Sequence, residues 1–504
     1  GLAGLSAALQ AAENGCNVKL VSSLPSERAQ SVMAEGGINA ALNTKDENDS
    51  PEEHFTDTIK AACGLADPNA VWGMTQAAPE LVHWLLKLGV KFNMSGYDDV
   101  ELRNFGGQKK KRTAFAQSDT GKQIMTAMID AVRRKEASGM VERFSHHSFL
   151  TLRLCGNICC GCVIRDEYSQ ETVELPGDAV IVATGGMHGL FGNTTGSLSN
   201  TGEVTAELFR LGVSLANGEM IQYHPTTVKC GGKRMLISEA ARGEGGRLFA
   251  MKDGKQWYFM EEKYPELGNL MPRDITAREI WKVSHESEVF LDMTEISEEI
   301  ISNKLSGLAD DCMTYLHKDI RKEPVSVLPG IHYFMGGILV DEQHRTPIQN
   351  LYAAGEGCAQ YHGANRLGGN SLLGALYGGR VAAKSACEQA DVVDLSCATQ
   401  IDFPPASQIS EIKQLNKVMQ ETMGVVRNEN TLLNGIKTVQ ALTGNLPLLG
   451  MAVLKSAIAR KESRGAHWRE DYPKSNDDDY LKTTVARFDG KQIQISFVPV
   501  PERR

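Results

Sequence analysis

Three glycine-rich turns, each at the end of a short apolar run, constrain this chain more than any other feature. The first opens it: Gly1-Leu2-Ala3-Gly4 leads into a helical stretch from Leu5 to Asn14 and a strand from Asn17 to Val21. If a strand and a Gly-x pair precede Gly1, then Gly1 and Gly4 are the last two glycines of G-x-G-x-x-G. Gly1 then lets the backbone approach a pyrophosphate, Gly4 lets the helix pack on a strand, and the helix N-terminus faces the phosphates. Ser22 and Ser23 stand where an acidic residue usually ends the second strand. A hydroxyl can still bond a ribose, but the common NAD pattern is not met. The second turn, Thr184-Gly185-Gly186, closes a buried strand from Asp178 to Ala183. The third, Gly355-Glu356, follows a strand from Leu351 to Ala354 and leads to a helix starting near Ser371. There Glu356 can bond a ribose hydroxyl, and the Ser371 and Leu372 amides face a ligand oxygen. Each turn alone is an ordinary βα connection. All three in this order predict one discontinuous nucleotide-binding domain.

At 504 residues the chain is too long for one ordinary core, so about three domains are expected. Its net charge of −9 argues against a nucleic-acid-binding surface. No apolar run reaches the roughly 18 residues of a membrane span. Eleven cysteines without regular spacing suit a reducing compartment better than a disulfide scaffold. Between the second and third turns, and just beyond, polar residues sit in glycine, proline and apolar surroundings: His224 and Thr226 in "MIQYHPTTV", Glu239 and Arg242 in "LISEAARGEGGRLF", Arg273 in "MPRDITARE", His332 in "PGIHYFMGGI" and Arg366 in "HGANRLGGNSL". Arginine and histidine beside glycine-rich backbone suit carboxylates, because a guanidinium grips both oxygens. Plainer readings exist for each: a hydrogen-bonded structural His332, a helix-surface pair for Glu239 and Arg242, a local salt bridge between Arg273 and Asp274.

The motifs "AEGGINAAL", "RTAFAQSDTGKQIM", "YHPTTV", "SEAARGEGGRLF", "PRDITARE", "HYFMGGI", "GEG…HGANRLGGNSL" and "ESRGAHWREDYP", in that order, resemble the flavoprotein subunit of the succinate dehydrogenase and fumarate reductase family, with L-aspartate oxidase as a sister branch. The resemblance covers the whole chain. It implies an α/β fold: a discontinuous Rossmann-like FAD-binding domain (1–216 and 337–392) with an inserted α+β capping domain (217–336) that closes over the flavin, a helical domain (393–470) and a short C-terminal segment (471–504). It implies that His224, Thr226, His332 and Arg366 bind a dicarboxylate, that Arg273 is the general acid, that Glu239 and Arg242 relay its proton, and that His224 belongs to the catalytic set as well. FAD contacts are implied at Gly1, Gly4, Ser22, Ser23, Gln30, Ser31, Glu35, Gly36, Gly37, Thr184, Gly185, Gly186, Glu203, Glu356, Ser371 and Leu372. No residue is assigned to a metal.

The tail "RGAHWREDYPKSNDDDYLKTTVARFDGKQIQISFVPV" is similar to the dehydrogenase and reductase branch, as is "KRTAFAQSDTGKQIM", where the "GGHS" pattern typical of aspartate oxidases is missing. That branch implies an iron–sulfur partner subunit, a membrane anchor or other electron-donor subunit beside it, and a cytoplasmic chain held at the membrane face only through its partners. The alternative is a stand-alone FAD oxidase such as L-aspartate oxidase. "CGNICCGC" (Cys155 to Cys162) reads as a hairpin closed at Cys155-Gly156-Asn157 between strands Phe149 to Leu154 and Val163 to Arg165, rather than as a cluster site, since adjacent strand residues point to opposite faces. His467 and Arg469 lie near the end of the helical unit, either toward the flavin or a partner or as a structural cap. Membrane-linked members of the family typically carry a histidine, bonded to the flavin, six residues before the glycine pair. Gln30 stands there in "QSVMAEGG", and an amide cannot form that bond. The resemblance therefore implies noncovalent FAD and a bias toward fumarate reduction.

Overall fold

The computed structural model describes residues 1–96, 99–392, 398, 400, 401, 403 and 408–504. Its nucleotide-binding part begins with α1 (Leu2–Glu13), β1 (Val18–Ser22), α2 (Thr120–Ala137), β2 (Val141–Ser145), β3 (His147–Cys155), β4 (Ile158–Asp166), β5 (Val180–Val182), α3 (Glu203–Arg210) and β6 (Leu215–Ala216). The inserted part holds β7 (Ile221–Cys230), β8 (Lys233–Leu236), α4 (Glu239–Gly243), α5 (Arg273–Val283) and β9 (Leu328–Phe334). The chain returns through β10 (Gly337–Leu339), β11 (Leu351–Ala353) and α6 (Asn370–Gln389), then forms α7 (Ile409–Thr422), α8 (Glu429–Val439), α9 (Asn445–Ala459) and the hairpin β12 (Lys482–Phe488) and β13 (Ile493–Pro499).

Parallel pairing defines the first part. β1 pairs with β2 from Val18↔Val141 to Ser22↔Ser145, and β5 pairs with β11 from Val180↔Leu351 to Val182↔Ala353. The second pair joins residues 171 positions apart and so makes the domain discontinuous, as the glycine turns indicated. α1 lies against β1 and β5 and packs along α6. It begins three residues earlier than its apolar pattern suggested, because Gly4 fits inside the first turn: a Cβ there would sit 3.5 Å from Ala183 Cβ, an ordinary contact. β3 and β4 form the expected hairpin, closed by Cys155↔Ile158 around Gly156 at φ +60°. The second strand starts at Ile158, five residues before the expected Val163. Cys155 is disulfide-bonded, while nine other cysteines are free, so the cysteines do not form a disulfide scaffold among the described residues. Cys159 and Cys162 on β4 are free, and burial pushes their thiols up to about 12 and about 11. Such thiols stay protonated and are poor cluster ligands.

The inserted segment leaves and returns across one antiparallel ladder, with Leu215↔Ile338 and Ala216↔Gly337. The other edge of β6 takes β12, with Leu215↔Ala486 and Ala216↔Val485. Residues 482–499 are thus a hairpin integrated into this sheet rather than a separate tail. The helices share a core as well. Leu415, Met419, Leu432, Leu449 and Val453 form one buried cluster with Leu190, Phe209, Ile221 and Ile331. The expected start of the helical domain, residue 393, lies outside the described residues.

A buried ion network fastens these parts. The Arg460 guanidinium donates to Glu219 Oε1 at 2.7 Å, Glu462 Oε1 at 2.7 Å, Lys482 O at 2.7 Å and Tyr480 O at 2.8 Å. The side chains of Arg460, Glu219 and Glu462 have no exposed surface. Removing one partner from such a pair costs about 3–5 kcal/mol. His467 accepts at Nδ1 from Arg427 Nη1 at 2.9 Å and meets Arg460 O through Nε2 at 3.2 Å. Arg469 donates to Asp471 and to Ala457 O. Of the two readings for His467 and Arg469, the structural one fits this network. Among the described residues no helix is long and apolar enough to cross a membrane.

Candidate active site

The three glycine turns meet around the start of α1. A Cβ on Gly355 would lie 2.8 Å from Ala3 Cβ, and one on Gly186 would lie 2.7 Å from the Glu356 carboxyl carbon. A Cβ on Gly357 would approach Gly185 O to 3.3 Å. Side chains would separate these turns, which explains the glycines without appeal to flexibility. The start of α1 carries no side-chain cap, and the Leu2 amide donates to Ser31 Oγ at 3.1 Å. The start of α6 is also uncapped, so the first-turn amides that include Ser371 and Leu372 are donors facing away from their helix. Ser22 Oγ, at the end of β1, is buried with no hydrogen-bond partner. The uncapped start of α6, the close glycine backbone around the start of α1 and an orphan hydroxyl fit a dinucleotide diphosphate and ribose.

The loop from Gln30 to Gly37 borders the same region. Arg103 fixes its backbone by donating to Glu35 O at 3.1 Å and Gly36 O at 2.5 Å. Gly37 has φ +133°, and a Cβ on it would come within 2.5 Å of Ala114 O. Burial, with Asp311 second, pushes the Glu35 carboxyl up to about 8, and its Oε2 has no partner. Gln30 begins a short helical turn. Glu356 is aimed inward, accepting the Phe334 amide at 3.2 Å with His188 Nε2 at 3.4 Å. Glu203 opens α3 with an exposed side chain, and Thr184 follows β5 into the Gly185 turn.

A second cluster is built around one carboxylate. Glu239, on α4, accepts from Arg273 Nε at 2.8 Å and Nη2 at 2.6 Å, both at Oε2. Its Oε1 accepts from Arg242 Nη2 at 3.3 Å and from the Gly106 amide at 3.1 Å. A Cβ on Gly106 would lie 2.5 Å from Oε1 and one on Gly368 2.9 Å from Oε2, so both glycines make room for this group. Burial alone would raise the carboxyl, but Arg273 and Arg242 outweigh it and hold Glu239 below its usual range. Glu239 and Arg242 are therefore a buried pair and not the helix-surface pair their spacing allows. Arg273 pairs across the inserted part with Glu239 rather than with Asp274.

Gln222 ties this group to a further arginine. Its Oε1 accepts from Arg273 Nη1 at 3.0 Å, and its Nε2 donates to Arg366 O at 2.8 Å. The Arg366 guanidinium lies 4.4 Å over the Tyr333 ring, and its buried Nε has no partner. Burial, then repulsion from Arg273, lowers Arg366 to about 9. β7 and β9 set two histidine rings 5.1 Å apart, His224 and His332. Burial followed by Arg273 holds both well below 6.5, so each is neutral. His224 Nε2 is buried and unpaired, while His332 Nδ1 shares a 2.8 Å hydrogen bond with the Thr195 hydroxyl. The Thr226 hydroxyl donates to Ile237 O at 2.8 Å, closing the turn that orients His224. Arg273 and Arg242 bond Glu239, while Arg366 lies in the field of Glu356 as well as Glu239, so three guanidinium groups stand among two carboxylates and beside neutral imidazoles. The chemistry of this arrangement suits a small anion, and its hydrogen bonds join Arg242, Glu239 and Arg273 in one continuous chain.

Gln222, Gly106 and Gly368 were not singled out from the sequence. Gln222 could have been found, since it alternates with His224 and Thr226 along one strand. The pairing of Gly106 with Glu239, 133 residues apart, had no local signal.

Residues 1–372 match the FAD binding domain family and residues 442–503 the fumarate reductase flavoprotein C-terminal family. The chain is 37% identical to the succinate dehydrogenase flavoprotein subunit of Bacillus subtilis, over 100% of this chain and 97% of that protein. It is 31% identical to the L-aspartate oxidase of Streptomyces coelicolor, over 100% of this chain and 93% of that one. Among solved structures it superposes on a variant of the E. coli quinol fumarate reductase flavoprotein with a TM-score of 0.90 at 26% identity, covering 99% of this chain and 95% of the other. With its glycine turns gathered at one helix start and its buried arginines around Glu239, this chain belongs to the succinate dehydrogenase and fumarate reductase flavoprotein family and is an FAD-binding oxidoreductase.

Proposed function

We propose that this chain interconverts fumarate and succinate, fumarate + 2e⁻ + 2H⁺ ⇌ succinate, and works mainly toward succinate. The observation that carries this reading is the cluster of buried guanidinium groups, Arg273, Arg242 and Arg366, which outnumber the carboxylates Glu239 and Glu356 beside them and so favour a dicarboxylate. The region lined by Gly1, Gly4, Ser22, Ser31, Gly36, Gly37, Gly185, Glu356, Ser371 and Leu372 holds FAD, which supplies hydride exchange with one of the two central carbons.

The protein's own residues do the rest. Arg366 takes one carboxylate end-on, with Tyr333 stacked behind it to fix the guanidinium plane. His224 and His332 offer ring N–H donors to the other carboxylate, and clamping both ends favours charge developing in the transition state. Arg273 gives its proton to the second carbon. An arginine is a weak acid, so the role depends on Glu239, which grips Nε and Nη2 and hands back a proton supplied through Arg242 Nη2. Gln222 fixes Nη1 and so aims the guanidinium. Closure of the inserted part over the flavin excludes water from this chain of donors. Gln30 leaves FAD noncovalent, the state that favours reduction over oxidation in this family. An iron–sulfur protein subunit, with a membrane anchor or another donor, supplies the electrons. The motifs at the tail favour this over the aspartate oxidase reading.

Arg273→Ala should lower fumarate reduction by about 10²–10⁴-fold while FAD stays bound, measured with reduced viologen as donor. Near-normal turnover in that variant, or hydrogen peroxide release from L-aspartate by the isolated chain, would contradict the assignment. Arg366 is cationic below about 9 and loses its charge above it. Dicarboxylate affinity should therefore be flat at neutral pH and fall as pH rises past about 9, measured by flavin absorbance titration; an affinity that rises there refutes the role. Acid precipitation of the holoprotein should leave the flavin in the supernatant, and a yellow pellet would show a covalent bond.

A further inference from the structure

α1 and α6 both start at the nucleotide region, and they are packed closely. A Cβ on Gly379 would lie 2.3 Å from Ala3 O, and Ser6 Oγ donates to Leu376 O at 2.6 Å. Farther along, Ala7 and Ala11 of α1 pack on Ala383 of α6, with Cys16 and Cys387 at the border of that contact. Small residues let the two backbones approach, and the approach brings two cysteines 371 positions apart into contact. Their Sγ atoms are 2.6 Å apart, against about 2.05 Å for a formed disulfide. Both are free thiols, and both are partly exposed, so a small oxidant can reach them.

We propose that Cys16 and Cys387 form a reversible disulfide that clamps the far ends of α1 and α6, and that hydrogen peroxide is the oxidant. Peroxide is the two-electron product of oxygen with a reduced flavin, which makes it a local oxidant for a flavoprotein. Burial, with the neighbouring thiol second, pushes Cys387 up to about 12, so the first oxidation falls on Cys16. The Cys16 sulfur attacks one peroxide oxygen, the O–O bond breaks, and sulfenic acid and water form. The Cys387 sulfur then attacks the Cys16 sulfur, the S–O bond breaks, and the Cys387 proton leaves with the hydroxyl as the second water. The sum is two thiols and one H₂O₂ giving one disulfide and two waters. A dithiol reductant reverses it by exchange. Cys63 and Cys230 are also free and partly exposed and have no thiol beside them among the described residues, so they serve as internal controls.

The test uses the FAD-loaded full chain, reduced and then exposed to excess peroxide, followed by iodoacetamide, proteolysis and mass spectrometry without reductant. A Cys16–Cys387 linked peptide should appear, both thiols should be lost from labelling, and dithiothreitol should restore them. Hydrogen exchange of residues 2–16 and 380–389 should slow in the oxidised wild type and stay unchanged in peroxide-treated Cys387→Ser. Absence of the linked peptide while Cys63 or Cys230 is oxidised would overturn the disulfide. A linked peptide without slower exchange would overturn the clamp.

Discussion

Glu239 is the constraint on which the site depends. It is a buried carboxylate that accepts from two guanidinium groups and one backbone amide, with each oxygen doubly engaged. Its donors come from three places: Arg242 on the same short helix, Arg273 at the start of α5, and Gly106 from the nucleotide-binding part. A cation at a helix start is disfavoured by the helix dipole, so the pair to Glu239 is what keeps Arg273 in place. The same carboxylate docks the inserted part onto Gly106 and Gly368, where any side chain would displace it. One interaction therefore sets the position of Arg273 and the fit between the two parts of the chain.

Burying three arginines with only two carboxylates, Glu239 and Glu356, is costly unless further negative charge arrives. The histidines respond to that imbalance by staying neutral, held down by burial and by Arg273. Arg366 responds by a lowered proton affinity and by stacking on Tyr333. Each feature is a local consequence of an excess of positive charge in a dry place. A bound dianion would relieve all of them together, which is why the proposed substrate follows from the electrostatics of the site. The Arg460 network shows the contrasting case. There Glu219 and Glu462 and several carbonyls satisfy the cation within the chain, and the result is a rigid joint rather than a binding site.

Much of this was legible in the residues. The glycine turns marked the strand ends because glycine is demanded where backbones come within van der Waals contact, and that demand leaves a local trace. His224, His332, Arg273 and Arg366 stood out as charged groups in apolar, glycine-rich surroundings. Less legible were relations that depend on tertiary approach. The Gly106 amide on Glu239 and the Cys16–Cys387 contact each join residues more than a hundred positions apart, with no periodicity to betray them. The C-terminal hairpin read as an appendage because its alternation shows a strand pair but not which edge it joins. β6, only two residues long, supplies that edge and has too little pattern to be noticed.

The charge count around Glu239 is open to a direct measurement. Flavin absorbance would be followed while the FAD-loaded chain is titrated with succinate and, separately, with its monomethyl ester, which keeps the length but loses one charge. Losing one charge-assisted contact costs about 1.5–3 kcal/mol, so the ester should bind roughly 10-fold to 150-fold more weakly. Equal affinities for the two would show that the buried arginines do not select a dianion.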